Sequence, residues 1–405
     1  MLVFELKTYP SKTQQPLIDE SIRTTQFIRN KALRKWIDAP KLNTKETSKT
    51  LYHLSKTLAQ EYDFVKPLNS SARQAATERA WNAILRFYRG QARFPKFQKD
   101  NRSVEFKQSG WKLSSDNKKI NIKSYDIGDL KLKGTRNLQD YPDSKINRVR
   151  IVKRADGYYI QFCINADKKM DHNPTGKAIG IDMGLKSFLV DSDNNVVDNP
   201  RFLRKSETQL KRLHRRHSKC KKHSNNRNKA RIRLARKYLK ISRQRKDFAI
   251  KLARQIITNS DFVAIENLQI KNLVRNRKVA KSFSDAAFRI FRNWLEYFGK
   301  ISRVTVIAVP PQYTTQECSA CGKIVYKALS ERTHICSCGC VLGRDENAAI
   351  NILSKALRYF FGEYLSSDKN RAGQARIQAS GEEPSTLITQ LLVQGFSLKE
   401  EPSGT

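Results

Sequence analysis

The sequence predicts an α+β protein of several domains, with a helical bundle and a β-domain in its first part and an α/β domain after them. Three observations carry this prediction. Helical apolar stripes occupy residues 11–91, short alternating runs occupy residues 92–170, and strands alternate with helices from residue 171 until five cysteines crowd together between Cys318 and Cys340. A chain of 405 residues has room for such a division.

The opening LVFELKTYP alternates Leu2, Phe4 and Leu6 toward one side, as a half-buried strand does, before Pro10 interrupts it. Ile18, Ile22, Phe27 and Leu33 then follow a helical stripe, and Ala76, Ala80, Trp81, Ile84, Leu85 and Tyr88 do so again. After Pro95 come VEF, INI, LKL and VRIV, and RVRIVKRADGYYIQFCI reads as two strands around an Asp156-Gly157 turn. This β-domain is expected to be completed by the N-terminal strand. KAIGIDMGLKSFLVDSDNNVV is expected to give three strands in a meander, the first reaching Met183. DFVAIENL and RVTVIAVP are further strands, separated by a helix from about Ser282 to Gly299, and a last helix runs from Glu346 to Phe361. From Ser366 the chain is polar and nearly charge-balanced, which predicts a flexible tail over residues 366–405.

The charge is extreme. Against 38 Asp+Glu stand 78 Lys+Arg, a formal net charge of +40. Residues 201–250 hold 20 of the cations and only Glu207 and Asp247, with helical spacing through Leu210, Leu213, Ile232, Leu234 and Tyr238. A solvated helix face would carry opposite charges at i,i+4, and here they are nearly absent. The block therefore reads as a polyanion-binding surface, with Arg212, Arg215, Arg216, Lys221, Lys222, Arg231, Arg233, Arg236, Arg243 and Arg245 as its candidate contacts. No apolar run is long enough to span a membrane, and the N-terminus lacks the pattern of a secretory signal, so a soluble, unexported protein is expected.

Three carboxylates sit against apolar elements: Asp182 in AIGIDMG, Glu266 in FVAIENL and Asp345 opening DENAAINIL. Burying such a group is costly unless it is paired or binds a cation. Hard oxygen ligands from separate elements suit Mg²⁺, and two such ions about 4 Å apart stabilise both attacking and leaving oxygens of a phosphodiester. Any one of the three would more simply be a strand-end carboxylate paired with Lys or Arg. Together, in this order, they point to a metal site.

Cys318 and Cys321 form a C-x₂-C knuckle, and Cys336 and Cys338 a tighter second half after 14 intervening residues. Four thiolates complete a closed tetrahedral site, so a structural Zn²⁺ is expected, with Cys340 an alternative fourth ligand and His334 unnecessary. Cys163 reads as an inward strand residue and Cys220 as incidental.

In sequence order, GIDMGLKSF, RQRKDFAIKLARQI, VAIENLQIKNL, AKSFSDAAF, CSACG, CSCG and RDENAAINI resemble the TnpB family, the insertion-sequence-encoded RNA-guided nucleases related to type V CRISPR effectors. The likeness extends to about residue 361 and includes LKTYPSKTQQ and RFPKF. It implies a β-barrel-like wedge domain over residues 1–10 and 92–170 and a helical recognition domain over 11–91. An RNase H-like (RuvC) domain over 171–310 and 345–365 would carry an inserted zinc ribbon over 311–344. Asp182, Glu266 and Asp345 match the three RuvC carboxylates that hold two Mg²⁺ ions for DNA cleavage.

The resemblance further implies a guide RNA made from the transposon end, target double-stranded DNA read by base pairing beside a short transposon-adjacent motif, and a cytoplasmic, nucleoid-associated protein. A monomer is expected. Residues near Ser70–Gln74 and Lys107–Ser109 are candidate motif readers. Two departures stand out: the usual DRD reads Gly343-Arg344-Asp345, and the second knuckle is one residue short. The first leaves open an alternative, a guide-bound DNA-binding protein with impaired nuclease. A basic zinc-ribbon RNA binder without activity would leave the carboxylates unexplained.

Overall fold

The computed structural model describes residues 2–38, 44–135, 138, 141, 142, 145–166, 169–268, 285–328 and 331–367. The chain divides into two compact units, Met1–Lys168 and Lys169–Thr405.

In the first unit, strand β1 (Leu2–Thr8) leads into helices α1 (Gln14–Asp38), α2 (Thr44–Glu61) and α3 (Ser70–Tyr88). The Asn69 side chain starts α3 by accepting from Ser71 N, the ordinary work of an N-cap asparagine. Six strands follow: β2 (Ser103–Phe106), β3 (Trp111–Leu113), β4 (Lys119–Ile122), β5 (Gly128–Lys133), β6 (Ile146–Arg154) and β7 (Gly157–Ile164). They pair antiparallel in the order β2-β6-β7-β1-β5-β4-β3, which places the N-terminal strand at the centre. Its alternating pattern fits, since Leu2 and Leu6 are buried while Val3 is exposed. The bundle and the sheet share one core, in which Ile18, Ile28 and Leu33 of α1 belong with Phe106, Ile151, Ile160 and Phe162 of the strands. Cys163 is buried on β7. Among the described residues the edge strands β2 and β3 do not pair with each other, so the sheet curls without closing by hydrogen bonds.

The second unit is built on five strands: β8 (Ala178–Asp182), β9 (Ser187–Asp191), β10 (Val196–Asp198), β11 (Phe262–Glu266) and β12 (Thr305–Val309). Their order is β10-β9-β8-β11-β12, antiparallel through β8 and parallel from β8 to β12. β11 is buried at every residue, as a central parallel strand covered on both faces should be. The short α4 (Phe202–Lys205), then α5 (Glu207–Lys219) and α6 (Asn225–Thr258), connect β10 to β11. Helix α7 (Phe288–Ser302) buries Phe288, Phe291, Leu295 and Phe298 in a core shared with Ala249, Leu252, Ala253 and Ile257 of α6. The expected start of this helix at Ser282, and part of AKSFSDAAF, lie outside the described residues.

The loop of the hairpin β13 (Thr333–Ile335) and β14 (Val341–Gly343) carries Cys336, Cys338 and Cys340, Cys318 and Cys321 precede it, and α8 (Arg344–Ser367) follows directly. Helix α8 lies on β8 so closely that a Cβ on Gly180 would meet the Ala349 carbonyl at 2.1 Å. Only glycine fits there. Ala348, Ala349, Ile352 and Ala356 are fully buried on the same helix. The helix takes in Ser366 and Ser367, the first two residues of the expected tail, and residues 368–405 lie outside the described residues.

Candidate active site and metal centre

β8 and β11 run parallel in register, with Ile181 opposite Ile265. The next residue on each strand, Asp182 and Glu266, therefore ends it at the same carboxyl edge. Open α/β sheets bind ligands beyond that edge, where strand order reverses, and here the reversal falls at β8. Asp345 arrives from the first turn of α8, whose approach to β8 is fixed at Gly180. Burial pushes the Asp182 carboxyl up to about 8, the charges of Glu266 and Asp345 push the same way, and Arg344 opposes them. Asp182 is thus within electrostatic reach of both other carboxylates. Burial also raises Glu266, against a hydrogen bond from Thr314 and the charge of Lys355. Arg344 Nε and Nη2 each lie 3.2 Å from Asp345 Oδ1.

Sequence reasoning missed the residues that brace this site. The Thr314 hydroxyl, buried in the segment just before the Cys318 knuckle, donates to Glu266 Oε1. That segment is gripped by one face of α8. Asn351 Nδ2 donates to the carbonyls of Thr314 (2.9 Å) and Glu317 (2.7 Å), and Asn347 donates to Glu317 O while accepting from Ser319 N. Lys355 pairs with Glu317 at 2.9 Å. Asn347, Asn351 and Lys355 recur at i,i+4,i+8 among apolar neighbours, a polar stripe that could have been read from the sequence.

The cysteines satisfy a stricter geometric test. Sγ atoms of Cys318, Cys321, Cys336 and Cys338 all lie within 4.8 Å of one another. The Cys318–Cys338 and Cys321–Cys336 separations are 3.7 and 3.6 Å. A tetrahedron with Zn–S bonds of about 2.3 Å has edges of about 3.8 Å, so the donor set fits Zn²⁺. Burial works to raise the Cys318 thiol, but backbone N–H donors of Cys321 and Ala320, together with His334, outweigh it and hold it low, at about 5. His334 is fully buried, and with Cys318 and Cys340 it forms a second compact group. Among the described residues only these two groups are so compact, which leaves the three carboxylates spread more widely than the ligands of one ion.

In the basic block, α5 and α6 pack side by side, and Arg227 joins them by donating to the carbonyls of His217 (3.4 Å) and Cys220 (3.0 Å). Arg212, Arg215, Arg216, Lys221, Lys222, Arg231, Arg233, Arg236 and Arg243 are exposed. Arg245 is placed differently. Its side chain is only 17% exposed and pairs with buried Asp285 at 2.6 Å, while Asp285 also accepts from Leu203 N. Arg245 thus fastens α6 to the segment entering α7 and to α4. Cys220 lies between α5 and α6, its thiol on the Arg216 carbonyl.

Two family models match the chain. Residues 161–277 match the IS605 OrfB family, described as "Probable transposase", and residues 288–352 match the Cas12f1-like TNB domain. A Streptomyces pristinaespiralis protein, provisionally named an RNA-guided DNA endonuclease, is 27% identical over 87% of this chain and 89% of its own length. Escherichia coli K12 InsQ, with the same provisional name, is 26% identical over 73% of this chain and 77% of its own. The Cas12f1–sgRNA–target DNA complex contains a chain of similar fold, with a TM-score of 0.55 at 14% identity over 84% of this chain and 83% of that one. The matched domains are those of transposon-encoded and Cas12f-type proteins. Within that class its likeness is to TnpB: a TnpB-like protein of Acanthamoeba polyphaga mimivirus is 28% identical over 50% of this chain and 42% of its own length. Among the described residues, no helix is long and apolar enough to cross a membrane.

Proposed function

We propose that the chain is an RNA-guided DNA endonuclease of an insertion sequence, cleaving target DNA beside a short transposon-adjacent motif by two-metal phosphodiester hydrolysis. The observation that carries this reading is the convergence of Asp182, Glu266 and Asp345 at the carboxyl edge of β8 and β11. A sheet of three antiparallel strands extended by two parallel ones, with carboxylates at that edge, supports an RNase H-like (RuvC) domain. The names of the two curated relatives support the activity.

Bound Mg²⁺ ions would activate the attacking water and stabilise the leaving oxygen. Asp182, Glu266 and Asp345 would hold them, Thr314 fixes the Glu266 rotamer, and α5 and α6 neutralise backbone phosphates. A structural Zn²⁺ on the four cysteines would hold the ribbon segment that contains Thr314. Guide RNA and target double-stranded DNA are the partners. Ser71 Oγ donates to the Ser109 carbonyl at 2.7 Å, which joins the two segments proposed to read the adjacent motif.

A second reading, a guide-bound DNA binder with impaired nuclease, draws on Gly343 and on the hold of Arg344 on Asp345. One experiment separates them: a plasmid library with a randomised motif beside a guide match, incubated with the guide complex and Mg²⁺. Linearisation that Asp182→Ala, Glu266→Ala and Asp345→Ala each abolish, with RNA binding retained, supports the enzyme. Binding without any cutting by the parent supports the second reading.

A further inference from the structure

The first unit contains a cavity of about 480 Å³ on the exposed side of α1, lined by Arg23, Gln26, Phe27, Asn30, Lys31, Arg34 and Phe97. These helix positions are three or four residues apart, so they share one face, turned away from the core residues Ile18, Ile22, Ile28 and Leu33. None of the lining residues is acidic. Three are cations and two are aromatic rings. The volume falls within the range of small-molecule sites, roughly 300–1,000 Å³.

The far wall is a strap built to stay in place. Asn30 Nδ2 donates to the Gln98 carbonyl at 2.9 Å and Gln98 N returns a bond to Asn30 Oδ1 at 2.8 Å. Asn101 N bonds Gln26 Oε1 at 2.8 Å, and Asn101 Nδ2 bonds the Ile22 carbonyl at 2.9 Å. Phe97 is thereby carried on a fixed backbone, yet it remains 45% exposed. On the opposite wall, Phe27 is braced edge-on by Tyr62 and Phe64 at 5.0 and 5.1 Å, and Lys31 Nζ lies 5.6 Å from its ring centre. A flat apolar group with an attached anion would satisfy both walls at once. Among the described residues Arg23 and Arg34 pair only with carboxylates on their own helix surface, Glu20 and Asp38, and such exposed pairs are weak.

We infer that this cleft is a nucleotide-binding site that takes one unpaired nucleotide of the guide RNA, its base on Phe97 and Phe27 and its phosphate on Arg34, Lys31 and Arg23. An unpaired base is required because a paired one keeps its faces inside the helix stack, whereas a splayed base offers them to aromatic side chains. The choice of RNA rests on the function proposed above; the cleft chemistry alone would also admit single-stranded DNA.

The test uses the full chain, a single-stranded RNA oligonucleotide containing 4-thiouridine, the DNA oligonucleotide of the same sequence, and duplex RNA. Photocrosslinks from the single-stranded RNA should map to α1 or to Phe94–Asn101, and those from duplex RNA should not. Phe97→Ala should weaken RNA binding by roughly ten-fold, the loss of one base–aromatic stack, and Phe97→Tyr should restore it. Arg34→Ala should lower the salt dependence of binding by about one phosphate's worth. A parent that binds RNA while Phe97→Ala with Arg34→Ala binds it equally well overturns the cleft and leaves the proposed function standing. Crosslinks from DNA alone also overturn it. A parent that holds no RNA overturns both.

Discussion

Thr314 and Glu266 lie 48 residues apart in sequence, and the hydroxyl of the first donates to a carboxylate oxygen of the second in a buried position. Glu266 ends the inner strand β11, whereas Thr314 belongs to the segment that leads into the cysteine knuckle. A buried carboxylate with one fixed hydrogen bond keeps one rotamer, and a metal site depends on that rotamer being right. Thr314→Ala should lower cleavage and divalent-ion affinity by roughly ten-fold, the scale of one lost hydrogen bond to a charged group. Thr314→Ser keeps the hydroxyl and should restore both. Equal melting losses in the two variants with no change in Mn²⁺ affinity, measured by calorimetry, would reduce Thr314 to a packing residue.

Gly180 is two residues before Asp182, and its role is spatial. A methyl group there would collide with the Ala349 carbonyl at 2.1 Å and the Leu353 Cβ at 2.8 Å, so Gly180→Ala must push α8 away from β8. Asp345 rides on that helix. Overpacking of this kind costs about 1–3 kcal/mol. The variant should lose that stability and lose cleavage by a larger factor, because carboxylate spacing changes as well. Loss of stability without loss of cleavage would show that α8 shifts without carrying Asp345.

Much of this arrangement is legible in the amino-acid sequence. Apolar strands ending in Asp182 and Glu266 are strong local signals, because buried carboxylates need a reason. Cys318 and Cys321 are equally plain, since their spacing is itself the chemistry. Thr314, Asn347 and Asn351 give no such signal one by one, because a hydroxyl or amide becomes informative only when its distant partner is known. Arg245 shows the reverse failure. By sequence it sits in a block read as a polyanion-binding surface, and only tertiary structure shows its guanidinium on Asp285. Periodicity likewise describes α6 but not the break before it, where Ser224 caps the helix through Arg227 N.

Asp182 sets a pH dependence whose sign is fixed by burial. Its carboxyl is raised from an ordinary 3.8 to about 8, so without metal the folded chain holds this proton more tightly than the unfolded chain. Between those two values stability falls as pH rises, and below the lower value this penalty is absent. Asp182→Asn should therefore raise the melting temperature of the chelated protein at pH 7–8 while abolishing cleavage. Each 1 kcal/mol gained appears as roughly 2–4 °C in a unit of this size. The gain should shrink toward pH 4. An Asn variant that melts lower than the parent at pH 8 would contradict the buried placement of this carboxyl.

Zinc content tests the cysteine assignment. Cys318 belongs to both compact groups, so Cys318→Ser should remove the ion and, because structural zinc contributes folding energy directly, reduce soluble yield. Cys338→Ser and Cys340→Ser divide the two arrangements. With four thiolates as ligands, the first should drop zinc from about one per chain to near zero and the second should leave it unchanged. Retention of zinc in Cys338→Ser, together with loss in His334→Ala, would assign the ion to Cys318, His334 and Cys340 instead.

Gly343 stands where the family pattern places an aspartate. It pairs with Thr333 on the ribbon hairpin and immediately precedes α8, so it occupies the cap position of the helix that carries Asp345. A Cβ there would meet nothing closer than Glu346 Oε2 at 3.5 Å, an ordinary contact, so an aspartate fits sterically. Asp is a better cap than Gly by a few tenths of a kcal/mol. Glu346 already accepts the Gly343 N–H at 3.3 Å, and a second carboxylate beside it adds repulsion that offsets the gain. The two effects nearly cancel, and the nearest side chain to the new group is Glu346, not Asp182. Gly343→Asp should accordingly change the melting temperature by only a few degrees and the cleavage rate by less than about three-fold. A rise from undetectable to robust cutting would mean that position 343 reaches the ions, and that the natural chain is an RNA-guided binder lacking nuclease activity.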